Sequence, residues 1–156
     1  MDAEIKGYLT EFSILRKDIQ NSVTGLNDEG ANWHPLSAET NSVYALLTHL
    51  MGADKFWIHQ VLLGKKIQRD REAEFRASGN LKEILTRWEG HWTEITSILE
   101  KLNHSQLLEE RQVPFRPQQQ ERVNVQWIIL HLISHYATHL GHIQLTRQLW
   151  DHNKQI

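Results

Sequence analysis

Apolar residues recur at three- and four-residue intervals along most of this chain, and this helical period limits the folds that it can adopt. Comparable periodic stretches cover residues 42–63, 81–102 and 125–150, and no segment shows a convincing strand alternation. The first stretch, from about residue 2 to 23, places one apolar face at Ile5, Tyr8, Leu9, Phe12, Leu15, Ile19 and Val23. Amphipathic helices of this length bury their apolar faces against one another, so the sequence predicts an all-α four-helix bundle, formed by a single domain over residues 1–156.

Residues that favour helix ends stand at the borders of these stretches. Asn41 or Ser42 is a candidate N-cap for the second helix, and Asn80 and Asn124 are candidates for the third and fourth. Gly64 is placed to end the second helix, because glycine adopts the left-handed conformation that follows many helices. The caps therefore support the helices that the apolar period predicts.

The segments between the helices lack the apolar period. Residues 27–40 and 109–123 contain glycine or proline and are predicted to be connections, the second with short extended pieces around Val113 and Val123. Residues 69–76 form a mixed charge run, which is expected to be a solvated connection without a chemical role.

The composition excludes several classes of function. Lysine and arginine (17 residues) are interspersed with 19 acidic residues for a net charge of −2, so we expect no nucleic-acid-binding surface. The chain has no cysteine, which excludes disulfides, thiolate metal sites and a cysteine nucleophile. It also lacks a signal-peptide pattern and any apolar run of the ~20 residues that span a bilayer, so we expect a cytoplasmic protein with no membrane association.

A stripe of histidines marks the last predicted helix. His131, His135, His139 and His142 fall within roughly 80° of one another, because each helical residue advances by about 100°. Imidazoles on an apolar helix are costly to bury unless each finds a hydrogen-bond partner or a metal. The stripe is therefore the first candidate for a functional site.

Two of these histidines have the spacing of a metal-binding pair. His135 and His139 are four residues apart, so both rings can point at one ion. The zinc-protease motif would need a glutamate where Tyr136 stands, which rules out that chemistry. A third ligand must come from another helix, and His49 is the stronger candidate because its side of the second helix carries mostly small residues; His59 lies on a different face.

Other interpretations of the histidines remain open at this point. All three could be hydrogen-bonded structural residues, and haem ligation by two of them fits the spacing although nothing else supports it. A di-iron carboxylate bundle is disfavoured because the chain has no Glu-x-x-His motif. The tryptophan pair Trp88 and Trp92 is expected to pack in the core. The remaining histidines are expected to be solvated, namely His34, His91, His104 and His152.

Two motifs resemble those of the DinB superfamily of bacterial four-helix bundles. They are Asn41–Trp57 (NSVYALLTHLMGADKFW) and Trp127–Ile143 (WIILHLISHYATHLGHI), and the Trp33-His-Pro35 segment resembles the lead-in to the first. The resemblance implies a metal site with His49 from the second helix and His135 and His139 from the last, holding a divalent transition ion such as zinc or nickel. The family's usual Gly-Gln after the last ligand is Gly141-His142 here, which raises the question of whether His142 touches the site.

The resemblance also implies an activity, since characterised relatives include S-transferases that use bacillithiol or mycothiol. Our first hypothesis is a metal-dependent enzyme that transfers a low-molecular-weight thiol to an electrophilic small molecule, with His131 as a supporting residue rather than a ligand. The second is a non-catalytic metal-binding or stress-response bundle with a structural histidine cluster, compatible with a homodimer formed through tryptophan-bearing helix faces. A third is a carrier with a large apolar cavity.

Overall fold

The computed structural model describes residues 1–114 and 122–155. Its long helices are α1 (Ala3–Val23), α3 (Val43–Asp54), α5 (Leu81–Leu99) and α7 (Val125–Asn153). Shorter elements lie between them: α2 (Asp28–Asn32), a π-helix (Lys55–Leu62), α4 (Arg71–Phe75), α6 (His104–Leu107), β1 (Glu110–Gln112) and β2 (Arg122–Asn124). The predicted all-α four-helix bundle is confirmed. No helix of the described residues combines the length and apolar character needed to cross a membrane.

Helix α7 lies at the centre of the packing, with α1 and α3 against it and α5 against α3. An aromatic cluster fills the core where these helices meet. Tyr136 makes a T-shaped contact with Phe12 at 4.6 Å between ring centroids and stacks on Trp88 at 5.6 Å. Trp88 is fully buried, as the apolar period predicted. The core thus fixes the rotation of α7 and with it the direction of the histidine stripe.

The predicted caps are observed at α3, α5 and α7. Ser42 Oγ accepts from the backbone N–H of Ala45 at 3.1 Å, Asn80 caps α5, and Asn124 caps α7. Such a side-chain cap stabilises a helix by about 1 kcal/mol. Gly64 follows the second helix with a positive φ of 68°, the conformation for which glycine was predicted there.

The second helix differs from the prediction in its last turns. A regular helix was predicted to continue to Leu63, but α3 ends at Asp54 and the chain goes on as the π-helix. Apolar spacing cannot distinguish the two helix types over eight residues, because five of the eight residues of the π-helix are buried and such a segment shows no clear period. The transition leaves the Asp54 carboxylate buried against α5 and α7.

The predicted connections contain structure of their own. Helix α2 occupies part of residues 27–40, capped by the Asn27 side chain. Strands β1 and β2 pair antiparallel with Arg111 opposite Val123, so an extended piece at Val123 is observed. The remainder of that connection, residues 115–121, lies outside the described part of the chain. The prediction of a solvated connection at 69–76 is wrong at Glu74, because α4 lies there, packs against α3 and buries that side chain, whereas residues 70–73 and Arg76 are exposed as predicted.

Candidate metal centre

Three histidines from two helices meet at the α3–α7 interface. His49 Nε2 lies 3.0 Å from His135 Nε2, and His139 Nε2 lies 3.1 Å from the same atom. One nitrogen from each ring falls within 4.8 Å of the other two. The structure therefore brings together the three residues that the sequence had named as candidate ligands.

The spacing of these nitrogens fits a small divalent ion. Imidazole nitrogens at 2.0–2.1 Å from a tetrahedral zinc ion would be roughly 3.3 Å apart, close to the observed separations. His49 is buried and the other two are half-buried, so the cluster is sheltered on one side and accessible on the other. An all-imidazole donor set suits zinc, nickel or copper better than magnesium or calcium. A three-histidine site that can hold a divalent transition ion is thus present.

The two candidate ligands on α7 are held neutral mainly by burial. Burial, together with the neighbouring imidazoles His139 and His49, lowers the pKa of His135 to about 3. Burial, together with His49 and His142, lowers the pKa of His139 to about 4. A neutral ring offers a lone pair to a metal, whereas an imidazolium does not.

Glu74 on α4 supports His49 from behind. Its Oε2 lies 2.9 Å from His49 Nδ1, so Nδ1–H donates to the carboxylate and Nε2 presents its lone pair to the cluster. Arg69 donates to both carboxylate oxygens, from Nε at 2.7 Å and Nη2 at 2.9 Å. Burial favours the protonated form of Glu74, but the hydrogen bonds from His49 and Arg69 outweigh it and lower the pKa of the carboxyl. The carboxylate is therefore ionised at neutral pH.

The space beside His49 is used for this carboxylate. A Cβ at Gly52 would lie 2.0 Å from Glu74 Oε1, so only glycine allows the close approach. Phe75 also stacks on the His49 ring at 4.3 Å between centroids. The small residues around His49 were interpreted as room for an ion, yet at Gly52 that room is filled by the second carboxylate oxygen of Glu74.

The other histidines occupy different positions around the cluster. His142 Nδ1 lies 3.3 Å from His139 Nδ1, so His142 does touch the site. His131 stacks on Trp127 and lies parallel to the His135 ring at 6.2 Å, one turn away from the candidate ligands. His59 pairs with Glu94 at 3.4 Å and takes no part in the cluster.

Sequence comparison assigns the chain to a family. A profile of the mycothiol-S-transferase family matches residues 6–152, which is nearly the whole chain. The chain belongs to this family. No curated protein matches it significantly.

Solved structures show that this mycothiol-S-transferase family member has the DinB-like fold. A conserved protein from Enterococcus faecalis superposes with a TM-score of 0.70 at 15% identity, covering 96% of this chain and 97% of that one. A DinB-like protein from Bacillus cereus ATCC 10987 gives 0.67 at 15% identity, with 92% and 90% covered. The colibactin self-resistance protein ClbS, solved in complex with double-stranded DNA, gives 0.62 at 17%, with 92% and 93% covered. At these identities the likeness concerns the fold.

A second polar cluster lies buried in the core of this family member, next to the candidate ligands. Asp54 Oδ2 accepts from Tyr136 Oη at 2.6 Å and from His91 Nε2 at 3.0 Å. Burial raises the pKa of Tyr136, and the Asp54 carboxylate raises it further, so the phenol stays protonated and donates. The prediction that His91 is solvated is wrong, because the ring is buried against Asp54.

Proposed function

We propose that this protein is a metal-dependent S-transferase that joins a low-molecular-weight thiol to an electrophilic small molecule. His49, His135 and His139 would hold a divalent transition ion, zinc or nickel by the chemistry of the donors. The observation that carries the proposal is the convergence of three imidazole nitrogens, with no fourth protein donor in the cluster among the described residues. Three protein ligands are typical of catalytic sites, which keep a position for substrate, whereas structural sites use four.

The reaction needs the thiol as its thiolate. An ion bound at this site would lower the pKa of a substrate thiol, as metals do for coordinating thiols and water. In the overall reaction the sulfur forms a bond to the electrophilic carbon, the bond to the leaving group breaks with its electron pair, and the thiol proton passes to solvent. The family's name, mycothiol-S-transferase, favours a sugar-bearing thiol as the sulfur donor.

The surrounding residues hold the site in one arrangement. Arg69 fixes the Glu74 carboxylate, and Glu74 fixes the tautomer and orientation of His49. Phe75 stacks on one face of the His49 ring and so restricts the rotation of that ring. Neutral His135 and His139 leave the full charge of an ion available to polarise a thiol.

A non-catalytic bundle with a structural histidine cluster is the second candidate. Separations of 3.0 and 3.1 Å between ring nitrogens are also hydrogen-bond distances, so the cluster is compatible with a metal-free protein. The two candidates differ in activity. A metal-free cluster of the second kind would leave the thermal stability unchanged after treatment with a chelator, whereas a structural ion without activity would lower the thermal stability when it is removed.

The test of the S-transferase uses purified protein loaded with zinc or nickel. Mycothiol, bacillithiol, glutathione and cysteine are each combined with an aryl chloride whose thioether absorbs at a new wavelength. We expect metal-dependent product formation with at least one sugar-bearing thiol, lost on chelation and restored by the ion. An inert panel from protein with a full complement of metal would contradict the proposal and favour the structural cluster.

A further inference from the structure

A large cavity lies beside the histidine cluster, between the segment that joins α2 to α3 and the last turns of α7. Its volume is about 630 Å³, which is within the range of pockets that enclose a drug-sized ligand. Trp33 and Leu36 form one wall, Leu145 and Leu149 form the other, and Leu46 of α3 lies at the base. The cavity therefore connects the helix that carries His49 with the helix that carries His135 and His139.

The lining surface is mostly apolar and has little charge, although Asn41, Thr146 and Asn153 also contribute to it. Leu36, Leu145 and Leu149 are 59%, 55% and 40% exposed, and all of them face this cavity. Among the lining residues that the structure describes, Glu39 alone carries a charge at neutral pH if the histidines are neutral. Large apolar side chains gathered in one concave place indicate a binding site. The described lining residues include no lysine or arginine, which disfavours an anionic ligand.

The wall formed by residues 33–41 is held in place before any ligand binds. Trp33 packs against Trp150 of α7 at 5.6 Å between ring centroids. Thr40 Oγ1 bonds to both the backbone N–H and the carbonyl of Leu36 at 2.9 Å, which closes the loop on itself. A preformed wall reduces the entropy lost when a ligand is bound.

The cavity reaches the candidate metal centre through His142. This residue lines the cavity, and its Nδ1 lies 3.3 Å from Nδ1 of His139. A molecule with its apolar body between Leu36 and Leu145 would therefore present one end to the histidine cluster. Sugar-bearing thiols are strongly hydrated, so the apolar lining suits the other reactant.

We propose that this cavity binds a neutral, apolar small molecule, the electrophile that accepts the thiol, with its reactive carbon directed past His142 toward the cluster. This inference rests on the proposed S-transferase function and names the class of its second substrate. In the transfer a sulfur–carbon bond forms at that carbon, and a leaving group such as chloride departs with the electron pair.

Binding is measured separately from catalysis. Dinitrotoluene, an unreactive analogue of chlorodinitrobenzene, is titrated into the full-length protein and followed by quenching of tryptophan fluorescence. We expect Leu145→Asn to raise its dissociation constant by roughly fivefold, because the contact with that side chain accounts for about 40 Å² of buried apolar surface. Leu130→Asn is the matched control, since Leu130 is 46% exposed on the same helix and does not line the cavity.

Kinetics with two electrophiles complete the test. Leu145→Asn should lower kcat/KM for chlorodinitrobenzene by a similar factor. The same variant should leave kcat/KM for iodoacetamide unchanged, because iodoacetamide is too small to use the cavity.

Two outcomes would overturn the proposal. The first is an equal effect of Leu145→Asn and Leu130→Asn on dinitrotoluene binding. The second is a wild-type protein that is a dimer and does not bind dinitrotoluene, and that becomes monomeric when Leu145 is replaced by Asn. In that case the cavity would be an interface between two copies of the chain. Binding as expected in a protein that transfers no thiol would uphold the cavity as a ligand site and contradict the S-transferase function.

Discussion

The Glu74 carboxylate accepts a hydrogen bond from His49 Nδ1 at 2.9 Å, and this contact sets which nitrogen of His49 faces the other two histidines. This hydrogen bond connects α4, which lies in the charged segment 69–76, to the candidate metal centre. A metal-bound imidazole is commonly oriented in this way by a carboxylate on its other nitrogen. Glu74 is therefore a positioning residue for His49.

Replacing Glu74 by Gln tests this role. Glu74→Gln keeps the shape of the side chain but removes the charge that assists the hydrogen bond and holds Arg69, so we expect zinc affinity to fall by about 10- to 100-fold with the fold retained. Competition with a chromophoric chelator measures the affinity. Glu72→Gln is the control, because Glu72 lies on the same short helix with its side chain 74% exposed. Equal zinc affinities for the two variants would show that Glu74 does not support the site.

Glycine at position 52 gives an independent test of the same contact. The methyl group of Gly52→Ala would displace Glu74 from His49, so we expect weaker zinc binding even though alanine favours a helix by about 1 kcal/mol over glycine. Gly90→Ala is the control, since a Cβ there meets nothing within 4 Å. We expect that variant to be more stable to urea by about 0.5–1 kcal/mol, with unchanged zinc affinity. Normal zinc binding by Gly52→Ala would argue against the close approach.

The buried cluster of Asp54, His91 and Tyr136 predicts a stability effect. Tyr136→Phe removes the hydroxyl that donates to the buried Asp54 carboxylate, so that carboxylate loses one of its hydrogen bonds. This should reduce the free energy of unfolding by about 1.5–3 kcal/mol. Urea unfolding followed by circular dichroism measures the change. Tyr8→Phe, which loses a hydrogen bond to the part-buried Glu4, should cost less than half as much. Similar losses in the two variants would contradict the account of the core cluster.

The parts of this site that the sequence predicts are those that depend on residues close together along the chain. The helical period and the four-residue spacing place His135 and His139 on one face, and caps at Ser42 and Asn124 define the two helices that bring His49 to them. These features depend on neighbouring residues along the chain, so they can be identified without the fold. The DinB-like motifs then relate the two helices to each other.

The missed residues depend on contacts between distant segments. Glu74 lies in a charged run that is typical of solvated connections. It is buried because Gly52 on α3 leaves space for its carboxylate and Arg69 donates a hydrogen bond to it. His91 was predicted to be solvated because nothing in its own helix indicates that Asp54 is buried opposite it. For Glu74 the sequence did offer one signal, which is the glycine at position 52 within an otherwise apolar helix, close to the candidate ligand His49.

The nucleic-acid prediction also remains to be tested. ClbS, which shares the fold, was solved with double-stranded DNA, whereas the net charge of this chain is −2. Nonspecific DNA binding depends on lysine and arginine contacts to phosphates, so we expect no change in the fluorescence anisotropy of a labelled duplex at low salt. Binding that weakens steeply as salt is added would contradict this prediction.

The metal content of the purified protein tests the central claim most directly. We expect elemental analysis to find about one zinc or nickel ion per chain in the wild-type protein and almost none in His135→Ala, because two imidazoles hold a divalent ion much less tightly than three. His104→Ala, which alters an exposed histidine paired with Glu4, should keep the ion. Circular dichroism confirms that each variant is folded. The same metal content in His135→Ala as in the wild type would contradict the assignment of His49, His135 and His139 as the metal ligands.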